Sequence, residues 1–99
     1  MRKITITIVA EIKIKEGKME EAKEILKEVV KTVKANEPGT LEYTPHTVKK
    51  EDNTILFVER YVDGDAVKAH MANLGKNMAK LGPLLEPLPP NIKTCFPIE

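Results

Sequence analysis

Thr54-Ile55-Leu56-Phe57-Val58-Glu59-Arg60-Tyr61-Val62 is the stretch on which the fold turns. It is rich in β-branched and aromatic side chains and is bounded by Glu51-Asp52-Asn53 on one side and Asp63-Gly64-Asp65 on the other, the signature of a buried strand. Ile55, Phe57, Glu59 and Tyr61 share one face; Leu56, Val58 and Val62 lie on the other, with Arg60. The Asp63-Gly64-Asp65 segment supplies helix-capping side chains. From Ala66 to Lys80 the apolar stripe then runs Val67, His70, Met71, Leu74, Met78 and on to Leu81 at helical spacing. His70, nine residues after Tyr61, occupies a stripe position where Leu or Met is expected. The spacing thus turns a titratable imidazole toward a core, beside a strand carrying Glu59 and Tyr61.

Working outward, residues 3–14 alternate, with Ile4, Ile6, Ile8, Ala10, Ile12 and Ile14 on one face and Thr5, Thr7, Val9, Glu11 and Lys13 on the other, which predicts a strand. Gly17 breaks it. From Lys18 to about Ala35 the apolar positions become Met19, Ala22, Leu26, Val29 and Val33, widened by Ile25 and Val30, an amphipathic helix. Glu20–Lys23, Glu24–Lys27 and Glu28–Lys31 pairs one turn apart support it. Asn36-Glu37-Pro38-Gly39 ends it. Thr40 to Lys49 is a second strand in which Pro45, lacking a ladder donor, demands an edge or a bulge. Glu51-Asp52-Asn53 reads as the polar turn before the third strand. Gly82-Pro83 stops the second helix, residues 83–90 form a proline-rich connector, and Asn91 to Ile98 form a short final strand.

The order β-α-β-β-α-β is the split βαβ arrangement of ferredoxin-like α+β folds. Two helices then cover one face of a four-stranded antiparallel sheet. Strands 1 and 3 are apolar on both sides, so the second face needs a cover, and a second copy of the chain is the simplest one.

Ninety-nine residues, 41% hydrophobic, make one domain with a thin core, spanning residues 1–99. The net charge is +1 with Lys and Glu interspersed, which gives no footprint for nucleic acid or an anionic membrane. Cys95 is the one cysteine, so no internal disulfide or cysteine-based metal cage is available. Met1 leads straight into strand-like sequence and no window reaches transmembrane length, which makes the cytoplasm the expected address. Serine and glutamine are absent and Lys supplies 14 of the 16 basic residues. That Lys/Glu bias suggests a thermophilic source.

The candidate chemistry gathers at His70. A buried histidine either serves the core through a backbone or carboxylate hydrogen bond, or acts as a neutral proton acceptor suited to a phenolic substrate. Glu59 pairs with His70 or a substrate hydroxyl on one reading, and with a lysine at the strand end on the other. Tyr61, Tyr43, Phe57 and Leu74 are the candidate pocket walls. His46, next to Pro45, belongs at an exposed edge; a His46/His70/Glu59 metal site has no recognised ligand spacing. The glycines are scattered at turns and cradle no phosphate, no serine is present as nucleophile, and the RNA-binding pattern on this topology is missing.

With those residues in place, the chain resembles the antibiotic biosynthesis monooxygenase (ABM) family, in particular its quinol monooxygenase-like members. Ile8-Val9-Ala10-Glu11-Ile12 leading to Gly17 resembles the family's first strand and turn. Glu37-Pro38-Gly39-Thr40-Leu41-Glu42-Tyr43 resembles its helix-to-strand connection, and Glu59-Arg60-Tyr61 followed by Ala69-His70 its strand end and helix histidine. The resemblance implies a dimeric α+β barrel with a pocket near His70. It also implies oxidation of a quinol or phenol-like small molecule by dioxygen, with no flavin, metal or haem. His70 would be base or orienting group, with Glu59 its partner. The alternative is a non-catalytic small-molecule-binding or stress-related dimer of the same fold. A third reading is a structural dimer whose pocket is filled by Met71, Leu74 and Met78. The chain departs from the pattern at Ala10, His70 and about Lys80, where haem-degrading relatives place Asn, Trp and His, and near Gly75, where quinol monooxygenase-like relatives often carry a second histidine.

Overall fold

The computed structural model describes residues 4–98. Met1 and Lys3, where the sequence places the chain start and the head of the first strand, lie outside the described residues. The elements run β1 (Ile6–Lys13), α1 (Met19–Asn36), β2 (Thr40–Val48), β3 (Glu51–Tyr61), α2 (Gly64–Asn77), a 3-10 turn at Gly82–Leu84, and β4 (Asn91–Cys95). The strands form one antiparallel sheet in the order β2-β3-β1-β4. This is the β-α-β-β-α-β, ferredoxin-like α+β arrangement that the periodicity predicts.

Register decides what faces the helices. Ile8 lies opposite Glu59, Ala10 opposite Phe57 and Ile12 opposite Ile55, while Tyr43 of β2 also faces Glu59. Because side chains alternate, these residues all point to the helix side, with Tyr61 two positions on. Ile8, Ala10, Tyr43, Ile55, Phe57, Glu59 and Tyr61 are accordingly buried. The opposite side carries Val9, Leu56 and Val58, all half-buried, flanked by polar Thr44 and exposed His46 and Arg60. Val62, expected beside them, falls past the end of β3, where its N–H donates to Gly39 O at 2.9 Å.

β2 lies at the sheet edge, and Pro45 pairs there with Phe57, so the missing donor faces no further strand. The β2–β3 connection is tighter than the sequence suggests. Val48 pairs with Glu51, so Lys49-Lys50 form the turn and Glu51-Asp52-Asn53 belong to β3. Lys50 takes the left-handed conformation (φ 68°) at this turn, which a Lys-Lys pair does not announce.

α1 buries Ala22, Leu26, Val29 and Val33 against the sheet, as the stripe predicts. Its three Lys–Glu pairs form at 2.9, 3.0 and 3.4 Å but are solvent-exposed, so they add little to stability. α2 starts where Asp63 Oδ1 accepts the Ala66 N–H at 2.9 Å. It ends at Asn77 rather than Lys80, the chain passing through turns at residues 78–81 before Gly82-Pro83. Met71 is 44% exposed, so the apolar stripe of α2 meets the sheet only in part. His70 is the buried side chain of this helix. The deepest position of α2 is thus an imidazole, beside the partly buried Ala66 and Val67 that also pack on the core. β4 stops at Cys95, short of the predicted Ile98. Among the described residues, no helix is long and apolar enough to cross a membrane.

Candidate functional site

Between α2 and the helix-facing side of β1 and β3 lies a cavity of about 310 Å³. Ile8, Ala10 and Phe57 wall it from the sheet, Met71 and Leu74 from α2, and Met78 from the cap just past its end. Met71, Leu74 and Met78 line this space rather than fill it. The titratable groups on the wall are Tyr43, Glu59 and His70. A concave, apolar space with few convergent polar groups is the usual form of a small-molecule site. A larger depression of about 560 Å³ runs between α1 and the β2 edge, but its rim is the exposed Lys and Glu ladder of α1 and it holds no buried titratable group.

His70 is 2% exposed, and its ring is held between Tyr43 and Tyr61, with centroids 5.1 and 5.4 Å away. Its two nitrogens meet different carboxylates. Nδ1 lies 2.8 Å from Glu37 Oε1, and Nε2 lies 3.9 Å from Glu59 Oε1, beyond direct hydrogen-bond reach. Glu59 instead accepts the Tyr61 hydroxyl at 2.5 Å. Thr40 Oγ1 donates to Glu37 Oε1 at 3.2 Å, while Glu37 Oε2, also buried, has no hydrogen-bond partner among the described residues.

Burial is the main cause that raises Glu59 above the ordinary carboxylate range. The Tyr61 hydrogen bond and nearby His70 oppose the rise, and Glu37 adds to it. Tyr43 is raised by burial and by the charges of Glu59 and Glu37, and Tyr61 by burial and its bond to Glu59. Neither phenol is therefore a ready proton donor near neutral pH.

The raised pKa of Glu59 has a consequence for stability. The folded value lies above the unfolded value of 4.5, so its favourable contribution is fully present below about pH 4.5 and is lost as pH rises through the folded value. Ionised Glu59 therefore costs stability at neutral pH. Glu59→Gln keeps an acceptor for Tyr61 and is expected to stabilise the protein at pH 7, with the gain shrinking toward pH 4. Denaturant midpoints at both pH values check this; an equal difference at the two would contradict it.

A search with known families matches the ABM profile, antibiotic biosynthesis monooxygenase, to residues 5–74, well over half of the chain. The chain belongs to the ABM family. Solved structures agree. A Caulobacter crescentus CB15 protein assigned to the antibiotic biosynthesis monooxygenases is 29% identical, with a TM-score of 0.88 over 98% of this chain and 92% of that one. A Shewanella oneidensis protein is 23% identical, with a TM-score of 0.80 over 97% and 93%. A conserved Methanosarcina mazei Go1 protein is 17% identical, with a TM-score of 0.81 over 94% and 92%, and like the Shewanella protein it supports the fold alone. No curated protein matches this chain.

In this ABM chain the structure brings His70, Glu59, Tyr43, Phe57 and Leu74 to one cavity. Tyr61, expected as a wall, stands behind Glu59 at 0% exposure and is a support rather than a lining residue. His46 lies across the sheet, with Nδ1 3.3 Å from Leu56 O, so the His46/His70/Glu59 set is not assembled. Cys95 is outside the cavity lining. The direct hydrogen-bond partner of His70 is Glu37, with Glu59 3.9 Å from the other nitrogen, and Glu37 is a residue whose sequence setting marks it only as the end of a helix. One signal could have found it. Glu37 is the C-cap residue of α1, where the helix dipole disfavours negative charge, so an acidic residue there needs another reason.

Proposed function

We propose that this chain is a monooxygenase that oxidises a quinol-like or phenolic small molecule with dioxygen, without a bound cofactor, using His70 as the base. The observation that carries this reading is an apolar cavity of about 310 Å³ whose wall includes a buried imidazole and a buried carboxylate. Family membership supports the reaction class.

The chemistry balances without an added reductant. His70 Nε2 takes the phenolic proton, and the resulting electron-rich anion reduces dioxygen, the two combining to a ring-carbon peroxide. His70 returns its proton to the peroxide. The O–O bond then breaks as the ring C–H proton is lost, one oxygen staying as a quinone carbonyl and the other leaving as water. Phenol plus dioxygen thus gives quinone plus water. The protein supplies a base, a pocket that orients the ring, and surroundings that exclude bulk water. Glu59, raised by burial, lines the same cavity and would bond a substrate hydroxyl there.

Oxygen uptake with a panel of reduced naphthoquinols and simpler hydroquinones tests this. Uptake above the spontaneous rate, with one labelled oxygen atom entering the product, is expected. Binding of the panel at the spontaneous rate of oxidation would favour the alternative, a non-catalytic small-molecule binder.

We also infer a homodimer packed sheet to sheet. Val9, Leu56 and Val58 face away from both helices and stay half-exposed among the described residues, and burying such a patch stabilises association at about 25 cal/mol per Å². Light scattering is expected to give about twice 11.1 kDa at micromolar concentration; a stable monomer would contradict the inference.

A further inference from the structure

We propose that Glu37 is the positioning residue of this site: it accepts the Nδ1–H of His70, turns the Nε2 lone pair toward the apolar cavity, and compensates the imidazolium formed there from a polar cavity of its own. This deepens the reading above and rests on it for the reaction, though not for the hydrogen bond.

The geometry is two-sided. His70 and Glu59 line the apolar cavity and Glu37 does not. Glu37 lines a second cavity of about 170 Å³ with Thr32, Asn36, Asn73, Lys76 and Asn77, and His70 does not. The 2.8 Å contact between Nδ1 and Glu37 Oε1 is thus the link between an apolar space sized for a ring compound and a polar space with room for several waters. Glu37 Oε2 is buried and has no hydrogen-bond partner among the described residues, so the carboxylate keeps an acceptor free beyond the one it gives His70.

Hydrogen-bond capacity then sets the tautomer. A carboxylate only accepts, so the nitrogen facing Glu37 carries the proton and Nε2 keeps its lone pair. The groups facing the ring are Glu37 at the end of α1, Tyr43 on β2, and Glu59 and Tyr61 on β3. Tyr61 is committed to Glu59 at 2.5 Å, which leaves Nε2 the free acceptor at the cavity wall. When the substrate O–H breaks and the Nε2–H bond forms, the positive charge lies beside Glu37, and it disappears when the proton returns to the peroxide. The roles are those of a base and the third group that orients it.

The test reads the tautomer directly. Two-bond ¹H–¹⁵N correlations in the full chain resolve only two imidazoles, with exposed His46 as the internal reference. Neutral His70 is expected as the Nδ1–H tautomer; an Nε2–H tautomer in the native protein overturns the proposal even if no variant folds. Glu37→Leu is expected to switch His70 to Nε2–H, and retention of Nδ1–H overturns it. In oxygen-uptake kinetics the same variant is expected to lower kcat by about 10²-fold or more with KM within about threefold, because Glu37 does not line the substrate cavity. A loss confined to KM overturns it. If no quinol is oxidised by the native protein, the reaction fails while the tautomer measurement still decides the role of Glu37.

Discussion

His70→Ala is expected to lower enzyme-catalysed oxygen uptake by about 10²–10⁴-fold, the usual contribution of a general base. The loss has a second source in this fold. His70 is the buried side chain of α2, and removing it leaves Glu37 and Glu59 facing a void without the imidazole between them. Two buried carboxylates then lack their shared neighbour, so some loss of stability accompanies the loss of rate. The two effects separate by chemical rescue, because the void opens onto the apolar cavity and admits free imidazole. Recovery of uptake in proportion to added imidazole is the expected result. An unaltered rate in a folded variant would remove His70 from the chemistry.

The largest purely structural effect is expected at Gly39. A Cβ built there would stand 2.6 Å from Ala66 Cβ in the first turn of α2, and 3.5 Å from Ala66 Cα. Neither neighbour is the end of a flexible side chain, so α2 itself has to move. Overpacking of this kind costs about 1–3 kcal/mol, and each kcal/mol lowers Tm by about 4–8 °C for a chain of this size. Gly39→Ala should therefore destabilise clearly, and it should also lower activity, since the displaced helix carries His70 away from Glu37, two residues before Gly39. Adding Ala66→Gly removes the clash and is expected to restore most of the stability despite the roughly 0.5–1 kcal/mol that glycine costs in a helix. Additive losses in the double variant would show that the close approach is not the cause.

The fold was legible because its signals are local and periodic. The alternation of Ile8, Ala10 and Ile12, the stripe of Ala22, Leu26, Val29 and Val33, and the strand at residues 54–61 each report a period that only one element satisfies. Pro45 reported its edge position for the same reason. Ends were less legible. The hairpin at Lys49-Lys50 is imposed by pairing across β2 and β3, and α2 gives way at Asn77 although Met78 and Leu81 continue its spacing.

The site divided along the same line. Helical spacing turned His70 inward, and strand alternation put Glu59, Tyr61 and Phe57 on the helix-facing side. Glu37 carries no periodicity, because it sits in a turn that sequence patterns mark only as a stop. It is buried by the approach of α2, thirty-three residues further along, and no local rule encodes that contact. The same reasoning explains Tyr61. Alternation gave its face, but only the assembled site shows that its hydroxyl is used on Glu59 before any substrate arrives.

The position of Glu37 makes α1 a ruler for the site. Its backbone N–H closes the helix on Val33 O at 2.9 Å, and its carbonyl accepts the Thr40 N–H at 3.0 Å as β2 begins. The carboxylate is thereby fixed at the last step of an 18-residue helix whose inward face is already set by Ala22, Leu26, Val29 and Val33. One residue inserted into that helix would swing Glu37 by roughly 100° about the axis and advance it about 1.5 Å, taking it off His70 while leaving the amphipathic stripe largely reparable. Point substitutions on the exposed Lys and Glu face are cheap by comparison. In this chain the number of residues in α1 matters more to the imidazole than the identity of most of them.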